Sequence, residues 1–136
     1  MTSLLKVFDV AASAMTAQAQ RLNVVASNLA NADSASGPDG KAYKARQVIF
    51  STQEMGGGAE NSGVRVTGVV DDPSPMKRLY QPNHPMADET GYVTMPNVSV
   101  VEEMVNMISA SRAYQNNVEA INTTKTLLSK TLTIGQ

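Results

Sequence analysis

The side chains able to do chemistry in this chain are few and poorly placed for it. His84 is the only histidine, and it sits in Gln81-Pro82-Asn83-His84-Pro85, a stretch with loop character. A zinc site draws three or four ligands from Cys, His and carboxylate, and the chain has no cysteine. Two carboxylate pairs, Asp71-Asp72 and Asp88-Glu89, have the groups for general acid–base work. Each lies near turn formers, where Asp more often serves to build the turn itself. Gly56-Gly57-Gly58 lacks the Lys-Ser/Thr of a phosphate loop, so it reads as a hinge or loose linker. The Ser-rich terminal segments offer no nucleophile elbow. These residues predict no catalytic centre, no cofactor and no metal. An enzyme using His84 with Asp71 or Asp88 ranks last among the readings.

The elements around them explain more. With 136 residues the chain is one domain by length. Aromatic residues make up 4% and Trp is absent, so a dense single core is hard to build. A net charge of −1, with Lys6, Arg21 and Arg112 scattered, gives no electrostatic footprint for nucleic acid. No apolar run approaches the ~18 residues of a membrane span. Ala12-Ser13-Ala14 resembles a leader cleavage site, but Lys6 and Asp9 interrupt the apolar stretch before it. The expectation is a mature helix there, with any export proceeding without a cleaved leader.

The chain divides into residues 1–31, 32–97 and 98–136. In the first, Leu4, Phe8, Ala11, Met15, Gln18, Leu22, Val25 and Leu29 recur at alternating steps of four and three, a heptad seam with Gln18 as its polar intruder. Alanines raise helix propensity and permit close approach of a neighbouring helix. The breakers Asn31, Asp33, Gly37, Pro38 and Gly40 end this helix. Alternation predicts strands at Tyr43–Ser51 and Val64–Val70, with shorter ones at Met76–Gln81 and Tyr92–Met95. Prolines at 73, 75, 82, 85 and 96 keep these pieces short. The last helix starts near Ser99, which with Glu102 matches a capping box, and Gly135 is its expected terminator. Val101, Met104, Ile108, Ser111, Tyr114, Val118, Ile121, Lys125, Leu128 and Leu132 trace its stripe, with a stammer at Ser111. The predicted fold is mainly α with a small β insert: long terminal helices packed as a coiled-coil-like pair, with β-hairpins between. Gln115-Asn116-Asn117, Asn122 and Thr123-Thr124, with Gln18, Asn23 and Asn28 opposite, are expected to form a buried polar layer that fixes register against neighbouring helices.

Two strings carry a resemblance. Ala17-Gln18-Ala19-Gln20-Arg21-Leu22-Asn23-Val24-Val25-Ala26-Ser27-Asn28-Leu29-Ala30-Asn31 is similar to the N-terminal signature of bacterial flagellar rod and hook proteins, an Arg-Leu pair followed by Asn-Leu-Ala-Asn. Val101 to Ile108, running through Arg112-Ala113-Tyr114-Gln115, resembles the matching C-terminal signature. Gly91-Tyr92-Val93-Thr94-Met95-Pro96-Asn97-Val98 leads into it, a junction that, with the short length, resembles the proximal-rod members of the family. The resemblance spans essentially the whole chain. One departure is Asn31-Ala32-Asp33-Ser34, where relatives commonly have Asn-x-x-Thr.

The resemblance implies a structural subunit that stacks helically into the rod of the flagellar basal body. That rod crosses the periplasm as a torque-transmitting drive shaft around an export channel. The implied partners are itself, other rod proteins, the flagellar type III export apparatus and the membrane ring or rod adaptor. Direct membrane insertion is not implied. The expected subunit-interface residues are the two seams together with Asn28, Asn31, Arg112 and Gln115. Isolated terminal helices of this kind are marginal without a partner, so they are expected to order on assembly. The alternatives are another small rod subunit of the same family and a helical-hairpin binding module.

Overall fold

The computed structural model describes residues 2–36, 41–56 and 61–136. The order of elements is helix α1 (Thr2–Ala30), strands β1 (Arg46–Glu54), β2 (Ser62–Asp71), β3 (Lys77–Tyr80) and β4 (Tyr92–Met95), and helix α2 (Val100–Ile134). The expected mainly α fold with a β insert is what the chain adopts. Neither helix contains Gly or Pro, which lets each run unbroken. They are antiparallel: Asn28 near the end of α1 meets Glu103 near the start of α2, and Arg21 meets Asn106. Neither helix is long and apolar enough to cross a membrane.

Asn31 closes α1. Its backbone N–H and its side-chain Nδ2 both donate to the Ser27 carbonyl, at 3.1 and 2.8 Å, satisfying an acceptor that a helix end leaves orphaned. The breakers Gly37, Pro38 and Gly40 lie outside the described residues. Strand β1 begins at Arg46, three residues later than expected: the Tyr43 hydroxyl and the Ala45 N–H go to the side chains of Asn28 and Asn97. β1 and β2 form one antiparallel ribbon with an irregularity between Ile49 and Phe50. There Thr67 has no opposite number, and its hydroxyl donates to Ser51 Oγ at 2.7 Å. β3 and β4 form a second antiparallel ribbon. Gly56, at the described edge of the glycine run, has φ +62°; Gly57 and Gly58 lie outside the described residues.

Two expected helix signals differ in the structure. Ser99 occupies the cap position of α2 with extended backbone, yet its side chain makes no capping bond, so the box with Glu102 is not formed. Glu103, not Glu102, turns inward, to Asn28. Gly135 ends α2 in right-handed geometry at φ −76°, with its N–H on the Thr131 carbonyl. The left-handed stop that glycine permits is therefore unused.

The core is small-sided. Among the described residues the buried apolar side chains are Ala and Val (Ala11, Ala17, Val25, Ala45, Val93, Val98 and Ala110), with Pro96 beside them. At about 0.8 kcal/mol per buried CH₂, such a core contributes little, and polar contacts must fix the geometry. The ribbon β1–β2 lies against α1 through one of them. Ser13 Oγ donates to the Val10 carbonyl at 2.7 Å and accepts the Val64 N–H at 3.1 Å. A Cβ at Gly63 would sit 2.6 Å from that Oγ.

Candidate assembly surface

Asn28 is the centre of the joint between helices and ribbons. It is 1% exposed, and its amide has every polar atom in use. Nδ2 donates to the Arg46 carbonyl at 2.9 Å and to Glu103 Oε2 at 3.1 Å. Oδ1 accepts the Arg46 N–H at 2.9 Å and the Tyr43 hydroxyl at 2.8 Å. One helical side chain thus holds both peptide groups of the first residue of β1, as a partner strand would. Burial raises the Tyr43 phenol above its ordinary pKa, with the Arg46 charge opposing and Glu103 and Asp71 adding.

A second asparagine continues the joint. Asn97 Oδ1 accepts the Ala45 N–H at 2.7 Å, while its Nδ2 donates to the carbonyls of Asp72 and Ser74 at 3.1 and 2.9 Å. The Ala45 carbonyl in turn accepts the Asp72 N–H at 2.7 Å. Lys77 Nζ donates to the Val98 carbonyl at 2.6 Å. The chain entering α2 is tied to both ribbons before the helix begins. Asn97 is not among the expected interface residues; its position after Pro96 at the entry to a helix is the signal the sequence offers.

The groups suited to acid–base chemistry at His84, Asp88 and Asp72 are occupied by turns. His84 Nδ1 accepts the Met86 N–H at 3.0 Å, inside successive turns from Gln81 to Ala87. Asp88 Oδ1 accepts the Thr90 hydroxyl and the backbone N–H groups of Thr90 and Tyr92, and its Oδ2 pairs with Arg78 at 2.7 Å. Those bonds, the Thr90 hydroxyl first, hold its pKa down to about 2. Asp72 is likewise lowered, chiefly by the Ser74 side chain, with which it makes a short hydrogen bond. Asp71 pairs with Arg46 at 3.7 Å on the surface. A cleft of about 470 Å³ opens beside the Asn28 joint, lined by Arg21, Val25, Phe50, Asp72, Glu102 and Glu103 among others, with neither His nor Lys in its wall.

The expected interface residues fall into two groups. On α1 the seam faces inward: Ala11, Val25 and Asn28 are buried, and Leu4, Phe8, Met15, Gln18, Leu22, Leu29 and Asn31 are half-buried. Ala11, Val25 and Asn28 are consumed within the chain and offer no outer surface. Gln18 Oε1 is buried with no partner among the described residues. On α2 the stripe splits. Tyr114, Val118, Ile121 and Leu128 are half-buried, whereas Val101, Met104, Ile108, Arg112, Gln115, Lys125 and Leu132 are exposed. The face of α2 that turns inward is instead Glu103, Asn106, Met107, Ala110, Asn117 and Thr124. Alanine and polar residues pack there because α1 approaches closely. The outward side of the first turns shows Val101 at 72% exposure, with Met104, Val105 and Ile108 beside it.

The expected polar layer does not form between the two helices of the subunit. Gln115, Asn116, Asn122 and Thr123 are exposed. Asn117 and Thr124 turn back to the Ala113 and Ala120 carbonyls of their own helix.

Comparison with known proteins agrees with this geometry. Residues 8–38 match the family model described as flagella basal body rod protein, and residues 89–134 match that described as flagellar basal body rod FlgEFG protein C-terminal. The two matches fall on α1 with its stop and on β4 with α2, the elements that Asn28 and Asn97 join. The chain is 60% identical to the flagellar basal-body rod protein FlgC of Yersinia enterocolitica over 134 residues, 98% of this chain and 99% of the relative. It is 55% identical to the FlgC of Salmonella typhimurium at the same coverage. It is 50% identical to the FlgC of Buchnera aphidicola subsp. Acyrthosiphon pisum over 139 residues, again 98% and 99% of the two chains. The chain belongs to the flagellar basal-body rod protein family.

Proposed function

We propose that this rod-family subunit builds the proximal rod, stacking helically with copies of itself and with other rod proteins. The stack is the torque-transmitting shaft that crosses the periplasm, and its centre is the export channel. The subunit reaches that place through the flagellar type III apparatus and abuts the membrane ring or its rod adaptor. The seams, with Asn31, Arg112 and Gln115, supply its contacts. Residues 1–31, 32–97 and 98–136 act as one chain-wide unit, with the axial helices carrying the load.

The observation that carries this reading is the open face of α2. The helices already pair, yet Val101, Met104, Val105 and Ile108 remain in water. A contiguous exposed apolar stripe marks an interaction surface. Contacts between unlike surfaces generate open helical arrays when their rotation does not close into a ring, and many such contacts per subunit resist twisting. The helix pair of the free subunit is only marginally held, since its buried apolar side chains are Ala and Val, and its packing is completed on assembly. Strong hydrogen-exchange protection of Val7–Leu29 in the free subunit would contradict that last point.

Mass spectrometry of purified hook–basal bodies tests the reading. Several copies of this chain per particle are expected. Its absence there, with the chain found as a monomer or dimer bound to one partner at fixed stoichiometry, would overturn it.

A further inference from the structure

The two ends of α2 are chemically opposite. Near its C-terminal end Thr124 is buried and Leu128 half-buried, but every residue from Ser129 to Gln136 is exposed. The last turns of α2 therefore run past the first turn of α1 with nothing against them. Leu127 and Ile134 lie seven residues apart, on one face with Lys130 between them, and Ile134 is 86% exposed. From Ala120 onward the helix carries Lys125 and Lys130 and no acid. The N-terminal end reverses this. Val101, Met104, Val105 and Ile108 share the outward face, Glu102 flanks them, and no basic residue follows Ser99 until Arg112.

These two surfaces complement each other in apolarity and in charge, yet they cannot meet within one chain. A helix of 35 residues is about 50 Å long. We infer that the projecting C-terminal end of α2 docks on the open N-terminal face of α2 in a second copy of this chain, with Lys130 beside Glu102. The contact joins unlike surfaces, so it adds copies head to tail instead of pairing two symmetrically. Apolar packing supplies its strength. The exposed ion pair adds little and serves to set the direction and register. This docking rests on the proposed assembly function and specifies which surfaces of the subunit join.

The chain has no native cysteine, so paired cysteines read the contact directly. Val105→Cys and Ile134→Cys are combined in one chain that is the sole copy in the cell, and basal bodies are isolated after mild oxidation. The docking gives a ladder of covalent multimers of this chain with the double variant and none with either single one. A double variant that sediments with basal bodies and runs only as monomer overturns it, as does equal cross-linking by one cysteine alone. Val101→Cys with Leu127→Cys, which lies on the same face as Lys130 and Ile134, is a second pair, read the same way if the first fails to assemble.

Charge exchange is an independent measurement. Glu102→Lys or Lys130→Glu alone lowers the amount recovered in basal bodies roughly fivefold, and the two together restore it. Failure of the double exchange to restore recovery overturns the docking. Absence of the unmodified chain from basal bodies would sink the assembly reading and this docking together. Its presence there without the cross-link sinks the docking alone.

Discussion

The first three turns of α2 carry two opposite surfaces. The inner side, with Glu103, Asn106 and Ala110, meets α1 and is polar or small. The outer side, with Val101, Met104, Val105 and Ile108, is apolar and open. A self-sufficient small domain would place these the other way round. The difference separates two jobs. Hydrogen bonds are directional, so the asparagine joint fixes how the ribbons sit on the helices. Apolar contact is non-directional and proportional to area, so the outer face supplies attraction to whatever covers it. The subunit has its shape set from inside and its affinity displayed outside.

Breaking the inner side has the largest effect. Asn28→Leu leaves the Arg46 peptide groups, the Tyr43 hydroxyl and Glu103 without their partner, at a cost of about 3 kcal/mol or more. The urea midpoint followed by tyrosine emission should fall sharply, and an unchanged midpoint would show that the joint does not hold the ribbons. Next comes a matched pair across the divide. Leu22→Asp, half-buried on α1, should cost the subunit about 2 kcal/mol. Ile108→Asp, on the open face, should change subunit stability by less than about 0.5 kcal/mol while removing the chain from basal bodies. Equal destabilisation by the two would erase the distinction between the surfaces. Gly63→Ala is smaller, about 1–2 kcal/mol, since its Cβ would press on Ser13 Oγ and on the Met55 side chain, which can move.

The smallest effects are pH dependences of opposite sign at the two ribbons. Asp88 titrates at about 2 in the fold, below its ordinary 3.8. Its contribution is therefore present above pH 3.8 and lost as pH falls toward 2. Tyr43 is raised above 10.0, so its contribution is present below pH 10.0 and lost as pH rises through the higher folded value. Amide exchange of β3–β4 in acid and of β1 in base would show this. A joint that loosens in acid and tightens in base would contradict the Tyr43 assignment.

Much of the architecture was legible in the sequence. The helices span what the apolar spacing and the missing Gly and Pro indicated, and β4 falls on Tyr92–Met95 as expected. The start of β1 was not legible, because the Tyr43 hydroxyl and the Ala45 N–H are taken by Asn28 and Asn97, which lie in other elements of the chain. The capping box failed for a similar reason: Glu103 is drawn to Asn28, while Ser99 makes no cap bond.

Two long helices around short strands, and the pattern that marks the rod family, follow from the order of residues alone. Propensity and periodicity are local, and a run of 29 or 35 residues without Gly or Pro leaves the backbone few other choices. Which side of α2 turns inward depends on packing against α1. Periodicity identifies an apolar stripe but not its partner. Close approach of the alanine-rich α1 favours the face with Ala110 and Thr124, which leaves Val101 and Ile108 outside.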